Sequence, residues 1–263
     1  MAISAFNKNL WTAQILTDFH NVSVLDSVAT QPFEKNGQFF YYNRAKSVDV
    51  KEYAGAVAYD ALDGEQIPFA FDKKKYFAIA IDDVDAVQVA PNGLMNTFTQ
   101  EAGSQIAEQY DKDGFAQLVT ECKAEHVIDV TSPSTEEIYN TIVELAVKLD
   151  KAKAPKTDRY VVMNSEIASM LSLDTRFTEF KEVLSDGAVE AIGKIRGMKI
   201  IVSEEVADDK IIVFHKTALI AGKQINKTEA LRLEGSFSDA VRGLTVYGMK
   251  VVRPEAIAVA NLA

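Results

Sequence analysis

The side chains through which this chain could do chemistry are three histidines, one cysteine, a cluster of aspartates, a glycine–lysine pair and a run of lysines. None of His20, His126 and His215 sits at metal-ligand spacing from another histidine or from Cys122. They read as structural or surface groups. Asp82, Asp83 and Asp85 are close enough to share a cation. A calcium loop, however, needs oxygen ligands at alternating positions over about twelve residues around a glycine, and Val84-Asp85-Ala86-Val87 does not supply them. Carboxylates in such a run suit the start of a helix, where they complement the dipole and accept from free N–H groups. Ala221-Gly222-Lys223-Gln224 lacks both the glycine-rich approach and the following Ser or Thr of a phosphate loop. No Gly-x-Ser-x-Gly elbow occurs. Cys122 falls on an apolar helical face, where a thiol is normally inert. Lys73-Lys74-Lys75 reads as the charged tip of a hairpin, solvated or set against an acidic patch on another chain. No catalytic group, metal or cofactor is expected.

The chain has 263 residues, 48% of them hydrophobic, enough for one large domain or two small ones and too apolar for global disorder. Its formal net charge is -10. Tight duplex-DNA recognition depends on Lys and Arg neutralising phosphates, so this balance argues against gripping DNA and allows enclosing it. A single cysteine permits no intrachain disulfide and suits a reducing compartment. The first residues, MAISAFNKNLWTAQ, show no secretory pattern. No apolar run approaches the roughly 18 residues of a membrane span.

Several elements can be read from periodicity. Leu10, Trp11, Ile15, Leu16 and Phe19 share a helical face in an N-terminal arm, docked on its own core or on a neighbour. Residues 38–42, 47–53, 67–71 and 76–81 read as strands, with turns at Asn36-Gly37 and Leu62-Asp63-Gly64 and the lysine tip between the last two strands. A helix is expected over 97–123, ending or kinking at Asp111-Lys112-Asp113-Gly114. A helix over 135–154 carries Ile138, Ile142, Leu145, Ala146 and Leu149 on one face. Arg159 to Met163 reads as a buried strand, Asn164 opens a helix through Leu171, and 177–184 is a further helical piece. Residues 199–202 and 210–214 read as strands joined across Glu204 to Asp209, and 217–225 is another apolar segment. Arg196-Gly197-Met198-Lys199 echoes Tyr247-Gly248-Met249-Lys250, read as two strands entered by the same turn chemistry rather than as a repeat. Residues 244–252 form a strand ended by Arg253-Pro254, and the apolar tail 256–261 is expected to be tied into a sheet. The fold class is α+β.

Several blocks also resemble, in order, the major capsid proteins of tailed bacteriophages, the Hong-Kong-97-type shell fold. They are Val50-Lys51-Glu52-Tyr53 with Tyr59-Asp60; Phe71 to Ala78 followed by Ile81-Asp82-Asp83-Val84-Asp85; Thr97 to Tyr110; Arg159-Tyr160-Val161-Val162 with Asp174-Thr175-Arg176-Phe177; Gly193 to Ile200; and Lys227 to Arg232 through Gly248 to Ala256. The resemblance implies an N-terminal arm (1–35), an extended β-hairpin loop (36–80), a peripheral domain with a long spine helix (81–128 plus 220–246) and an axial domain (129–219 plus 247–263).

It further implies a coat subunit that assembles with itself into hexamers and pentamers of an icosahedral shell. Such a shell encloses double-stranded DNA non-specifically, and its partners are a portal ring and a scaffolding protein. No long N-terminal extension precedes the matching blocks, which implies a separate scaffolding protein or a processed chain. Assembly would take place in the host bacterial cytoplasm, with no membrane involved. Expected inter-subunit contacts are Trp11 and Leu16 in the arm, Tyr53, Tyr59, Phe69 and Phe71 in the hairpin, and Lys73, Lys74 and Lys75 at its tip. An encapsulin-like cellular compartment is the alternative within the fold, and a soluble α+β enzyme the alternative from another class.

Overall fold

The computed structural model describes residues 23–32, 39–45, 52–53, 64–82, 94–174, 184–186, 189–235 and 237–262. The expected strand over 47–53, the turn before Gly64, the helix start at Asp83 and Asp85, and the helical piece over 177–184 lie wholly or mainly outside them.

Among the described residues the strands form three sheets. The largest has seven strands: β4 (Val127–Val130), β12 (Ile257–Leu262), β9 (Lys210–His215), β5 (Arg159–Met163), β8 (Met198–Val202), β7 (Val189–Ile195) and β6 (Leu184–Asp186), side by side in that order. Every residue of β5 is buried, which a half-exposed strand would not allow. The two-residue pleat explains where they go. Tyr160 and Val162 enter one apolar cluster, and Val161 and Met163 enter the other. Strand β9 divides likewise, Ile212 and Phe214 against Ile211 and Val213, and β12 sends Ile257 and Val259 one way and Ala258 and Ala260 the other.

One face of this sheet is covered by α3 (Thr135–Lys151) and α4 (Ser165–Ser172). Local chemistry sets both helices. Ser134 caps α3 by accepting from the Glu137 amide at 3.3 Å, with Glu136 and Glu137 in the first turn and Lys148 and Lys151 in the last. Asn164 caps α4 through the Ile167 amide at 2.9 Å. The buried stripe of α3 is Ile138, Thr141, Ile142, Leu145, Ala146 and Leu149. Burial of each large side chain is worth about 1.5–3 kcal/mol, so packing holds this helix more than propensity does.

The other face meets α2 (Leu94–Thr120) and a second sheet, ordered β10 (Leu219–Arg232), β11 (Ser238–Val251), β3 (Lys73–Asp82). Helix α2 is continuous through Asp111 to Gly114, so it does not end there. Those residues are a docking place. A short helix, α1 (Leu25–Val28), lies on them, and its Leu25 fills the space where a side chain at Gly114 would stand. Glycine in mid-helix costs roughly 1 kcal/mol against alanine, and here it admits a fully buried leucine.

The third sheet is a two-stranded ribbon, β1 (Phe39–Ala45) with β2 (Gly64–Ala70), registered from Phe39 opposite Ala70 to Ala45 opposite Gly64. The chain turns a corner at Phe71-Asp72 and enters β3, which pairs with β11, Lys73 opposite Tyr247 and Asp82 opposite Ser238. Lys73 to Lys75 are therefore the beginning of a strand in the second sheet, not a hairpin tip. The segment 73–82 leaves the hairpin because its backbone finds partners on β11. Asp82 correspondingly ends a strand.

Strands β8 and β9 are joined across Glu204 to Asp209 as expected, and β5 lies between them in the sheet, parallel to β8 and antiparallel to β9. One other expectation changes. The echo at Gly197 and Gly248 is not shared turn chemistry. Arg196 and Gly197 have φ of 51° and 80° and make the tight turn from β7 to β8, as left-handed hairpin turns demand. Gly248 stands inside β11 beneath the Ala70–Phe71 backbone. The C-terminal run is tied in as expected, with β12 antiparallel to β9 and parallel to β4.

Candidate assembly interface

The ribbon β1–β2 has two chemically different faces because its side chains alternate. On the inner face Tyr42, Ile67 and Phe69 point to the body. Phe69 and Phe71 are buried by their own chain, their rings T-shaped with centroids 5.2 Å apart, and they pack with Ile220. Arg44 fastens the ribbon further by pairing with Glu255 and donating to the Val252 carbonyl at 3.4 Å. On the outer face stand Phe39, Tyr41 and Pro68, all exposed, with Tyr41 opposite Pro68 in register. Phe39 and Tyr41 are each 65% exposed.

A second exposed apolar pair lies on the outer face of the three-stranded sheet, where Tyr76 and Leu244 are opposite in register. It is bordered by Lys227 and the Arg242–Glu229 ion pair, 2.6 Å long. Phe237, 81% exposed, follows β10 in the turn to β11. Isolated exposed apolar residues are ordinary. Here exposed aromatic residues stand on two sheet faces and at one turn.

The root of the ribbon and the residue-23 segment meet at a polar knot on α2. Asp111, 3% exposed, accepts from Ser23 Oγ at 2.7 Å and from the Val24 and Leu25 amides at 2.8 and 3.1 Å. Burial pushes its carboxyl up to about 6, outweighing these hydrogen bonds and Lys223. Lys223 of β10 pairs with Asp26 and lies 4.6 Å from the Tyr110 ring centroid. Two residues on, burial would raise Asp113, but the Tyr247 hydroxyl, donating at 2.7 Å, and Lys73, paired at 3.1 Å, hold its carboxyl below the usual range. Burial first, then Asp113, keeps the Tyr247 phenol protonated.

The residues singled out from the sequence fall in three places. Trp11, Leu16 and Tyr59 lie outside the described residues. Tyr53 is exposed, and so are Lys74 and Lys75. Phe69, Phe71 and Lys73 face their own chain, so they hold the ribbon's base to the body rather than offering a surface to a neighbour. Phe39, Tyr41, Tyr76 and Phe237 were not anticipated as contacts. The alternation Phe39-Phe40-Tyr41-Tyr42-Asn43 carried a signal for the first two, because one face of such a strand must be left over.

The groups considered for chemistry have structural work. His126 Nδ1 meets the Ile257 carbonyl oxygen at 2.9 Å. His215 Nδ1 accepts from the Thr217 amide at 3.1 Å, and burial lowers its pKa. Burial also pushes the Cys122 thiol up to about 11. Among the described residues no group of three or more His, Cys, Asp or Glu could hold a metal ion.

A layered body, a long helix laid along a three-stranded sheet and a two-stranded ribbon anchored at its base define a shell-forming subunit of the Hong-Kong-97 type. Comparison with solved structures agrees. A chain from Mycobacterium phage Che8 aligns over 91% of both chains with 27% identity and a TM-score of 0.75. A chain from the capsid structure of the cyanophage P-SCSP1u covers 100% of this chain and 91% of its own, with 15% identity and a TM-score of 0.75. The holo-SrpI encapsulin complex from Synechococcus elongatus shares the fold at 11% identity, with a TM-score of 0.64 over 90% and 86% of the chains. No curated protein matches. Residues 64–260 match the phage capsid protein family, and the chain belongs to that family: it is a coat protein of a tailed bacteriophage, a structural component of an icosahedral capsid.

Proposed function

We propose that this subunit assembles through the outer face of its ribbon and through its N-terminal arm, each meeting neighbouring copies in the hexamers and pentamers of the shell. Residues 1–35 act as the arm, with Trp11 and Leu16 on its contact face. Tyr53 and Tyr59 belong to the outer part of the ribbon. The long helix and the three-stranded sheet act as the peripheral domain, and the seven-stranded sheet with its two helices as the axial domain. Residues 73–82 go with the peripheral part, because β3 pairs with β11. The mechanism is association without catalysis, portal and scaffolding proteins are the other partners, and assembly takes place in the host cytoplasm. The shell encloses double-stranded DNA without sequence recognition, a role compatible with a net charge of -10.

One observation carries this reading. Phe39 and Tyr41 remain 65% exposed on a ribbon whose other face is already buried. A two-stranded ribbon is marginal in water alone, and covering two aromatic rings is the gain that a neighbour supplies. Phe39→Ser with Tyr41→Ser tests it. The subunit is expected to keep its circular dichroism and melting temperature while sedimentation and negative-stain microscopy show few closed shells. Shells at parental yield overturn the proposal. Nucleic-acid content of particles from infected cells separates a genome-filled capsid from an encapsulin-like compartment, whose lumen would hold a cargo protein.

A further inference from the structure

Residues 23–30 cross α2 and β10 as a strap held at two ends. At one end Thr30 bridges the edge of β10, its amide donating to the Leu219 carbonyl at 3.0 Å and its carbonyl accepting from the Ala221 amide at 3.1 Å. At the other end three donors, Ser23 Oγ and the Val24 and Leu25 amides, converge on the single carboxylate of Asp111. Between them Leu25 covers Gly114, and Asp26 pairs with Lys223. The Thr30 end holds through these backbone bonds and through the Thr30 hydroxyl, which donates to the Lys216 carbonyl at 2.9 Å, so it contains no ionisable group. The Ser23 end hangs on one ionisable group that water cannot reach while the strap is down.

We propose that residues 23–29 form a proton-linked strap on the long helix, seated on Asp111 more firmly in acid and less firmly toward neutral pH, which sets how tightly the root of the N-terminal arm is held. The strap itself does not depend on the assembly reading; its consequence for the arm does.

The sign follows from burial. With the strap seated, Asp111 is desolvated and its carboxyl stands at about 6; once water reaches the side chain it returns toward 3.8. The seated form therefore binds the proton more tightly. Its advantage is full below about 3.8 and is lost as pH rises through about 6. Protonation does not dissolve the seat, because a neutral carboxyl can donate its O–H to Ser23 Oγ and keeps lone pairs for both amides.

Asp111 is the carboxylate on which the strap's donors converge. Asp26 on the strap is matched by Lys223 from β10. On α2, Asp113 is held by Tyr247 of β11 and Lys73 of β3. Burial keeps the Tyr110 and Tyr247 phenols protonated. Lys112 is exposed and lies beside Glu204 and Glu205. For a shift of this size, linkage predicts that the seating equilibrium strengthens roughly tenfold from pH 7 to pH 5.

Hydrogen exchange by mass spectrometry on the full chain reads this directly. After correction for intrinsic rates, a peptide spanning 23–30 is expected to be about tenfold better protected at pH 5 than at pH 7. A peptide spanning β5 should not differ. Asp111→Asn should flatten the dependence, whereas Ser23→Ala should weaken protection at both pH values and keep it. Equal protection of the parental peptide at the two pH values overturns the proposal, whether or not Asp111→Asn folds, and so does an Asp111→Asn profile matching the parent. Unassembled subunits suffice, so a failure of shell formation and a failure of the strap are read separately.

Discussion

Gly248 offers the sharpest test of how the ribbon is anchored. It lies within β11 opposite Gly222, and its missing side chain makes room for the corner at which the ribbon's return strand becomes β3. A methyl group there would overlap the Ala70 carbonyl oxygen and stand 2.9 Å from the Ala70 carbonyl carbon and 3.1 Å from the Phe71 Cα. These are backbone atoms, so no side chain can turn aside. Contacts at the usual ~3.5–4.0 Å require the corner to retreat by roughly 1.5 Å. That movement would pull Phe69 and Phe71, 0% and 2% exposed, out of register with Ile220. Forcing an extra carbon into such packing costs about 1–3 kcal/mol, and the smaller entropy of an unfolded alanine returns about 0.4–1. The net expectation for Gly248→Ala is a loss of about 1–1.5 kcal/mol, or roughly 3–5 °C in melting temperature for a chain of this size. Gly235→Ala, where nothing lies within 4 Å, serves as the control and should melt within about 1 °C of the parent. Scanning fluorimetry on unassembled subunits gives the shift. Exchange over residues 64–71 should show whether the ribbon base has loosened. If Gly248→Ala melts with the control and assembles normally, the account of the ribbon as clamped over β11 is wrong.

Other outcomes follow from the same contacts. Lys223→Met should cost roughly 1–2 kcal/mol by taking its cation from the half-buried Asp26 carboxylate, and adding Asp26→Leu should recover most of that loss in urea titrations. A single variant as stable as the parent would show that the pair contributes nothing. Cys122, with its thiol pushed up to about 11 by burial, should resist iodoacetamide at pH 7.5 and react once the chain is unfolded; rapid labelling of native protein would contradict the burial. Arg159 binds the Ala154 and Pro155 carbonyls, each at 2.7 Å, as well as Asp150 at 2.8 Å. Arg159→Met should therefore lower the melting temperature at neutral pH. The Arg159 hydrogen bond holds Asp150 below its ordinary 3.8, so its contribution is present above that pH and fades as pH falls through the lowered value. The deficit of Arg159→Met relative to the parent should shrink in strong acid, and a constant difference across pH would remove Asp150 from the explanation.

Much of this architecture is dictated by residues near one another in the chain. Ser134 and Asn164 cap the helices they precede, Ile138 to Leu149 repeat at helical spacing, and Arg159 to Met163 has no polar interruption to leave one face wet; each of these signals is complete within a few residues. The apolar tail 256–261 likewise had to find a sheet, since a free end of that composition would stay in water at a cost. Choice of partner is a different matter, because it compares distant segments. Nothing local tells Lys73 to Asp82 to leave the hairpin for β11, or places β5 between β8 and β9. The run Asp111 to Gly114 shows the limit most clearly. By propensity it breaks a helix, and it stays helical because Ser23, Leu25, Lys73 and Tyr247, brought from far along the chain, satisfy its carboxylates and fill the space over its glycine. Composition and period determined which segments are buried, and only the folded chain decided which of them meet and which aromatic residues, Phe39 and Tyr41 foremost, were left facing outward.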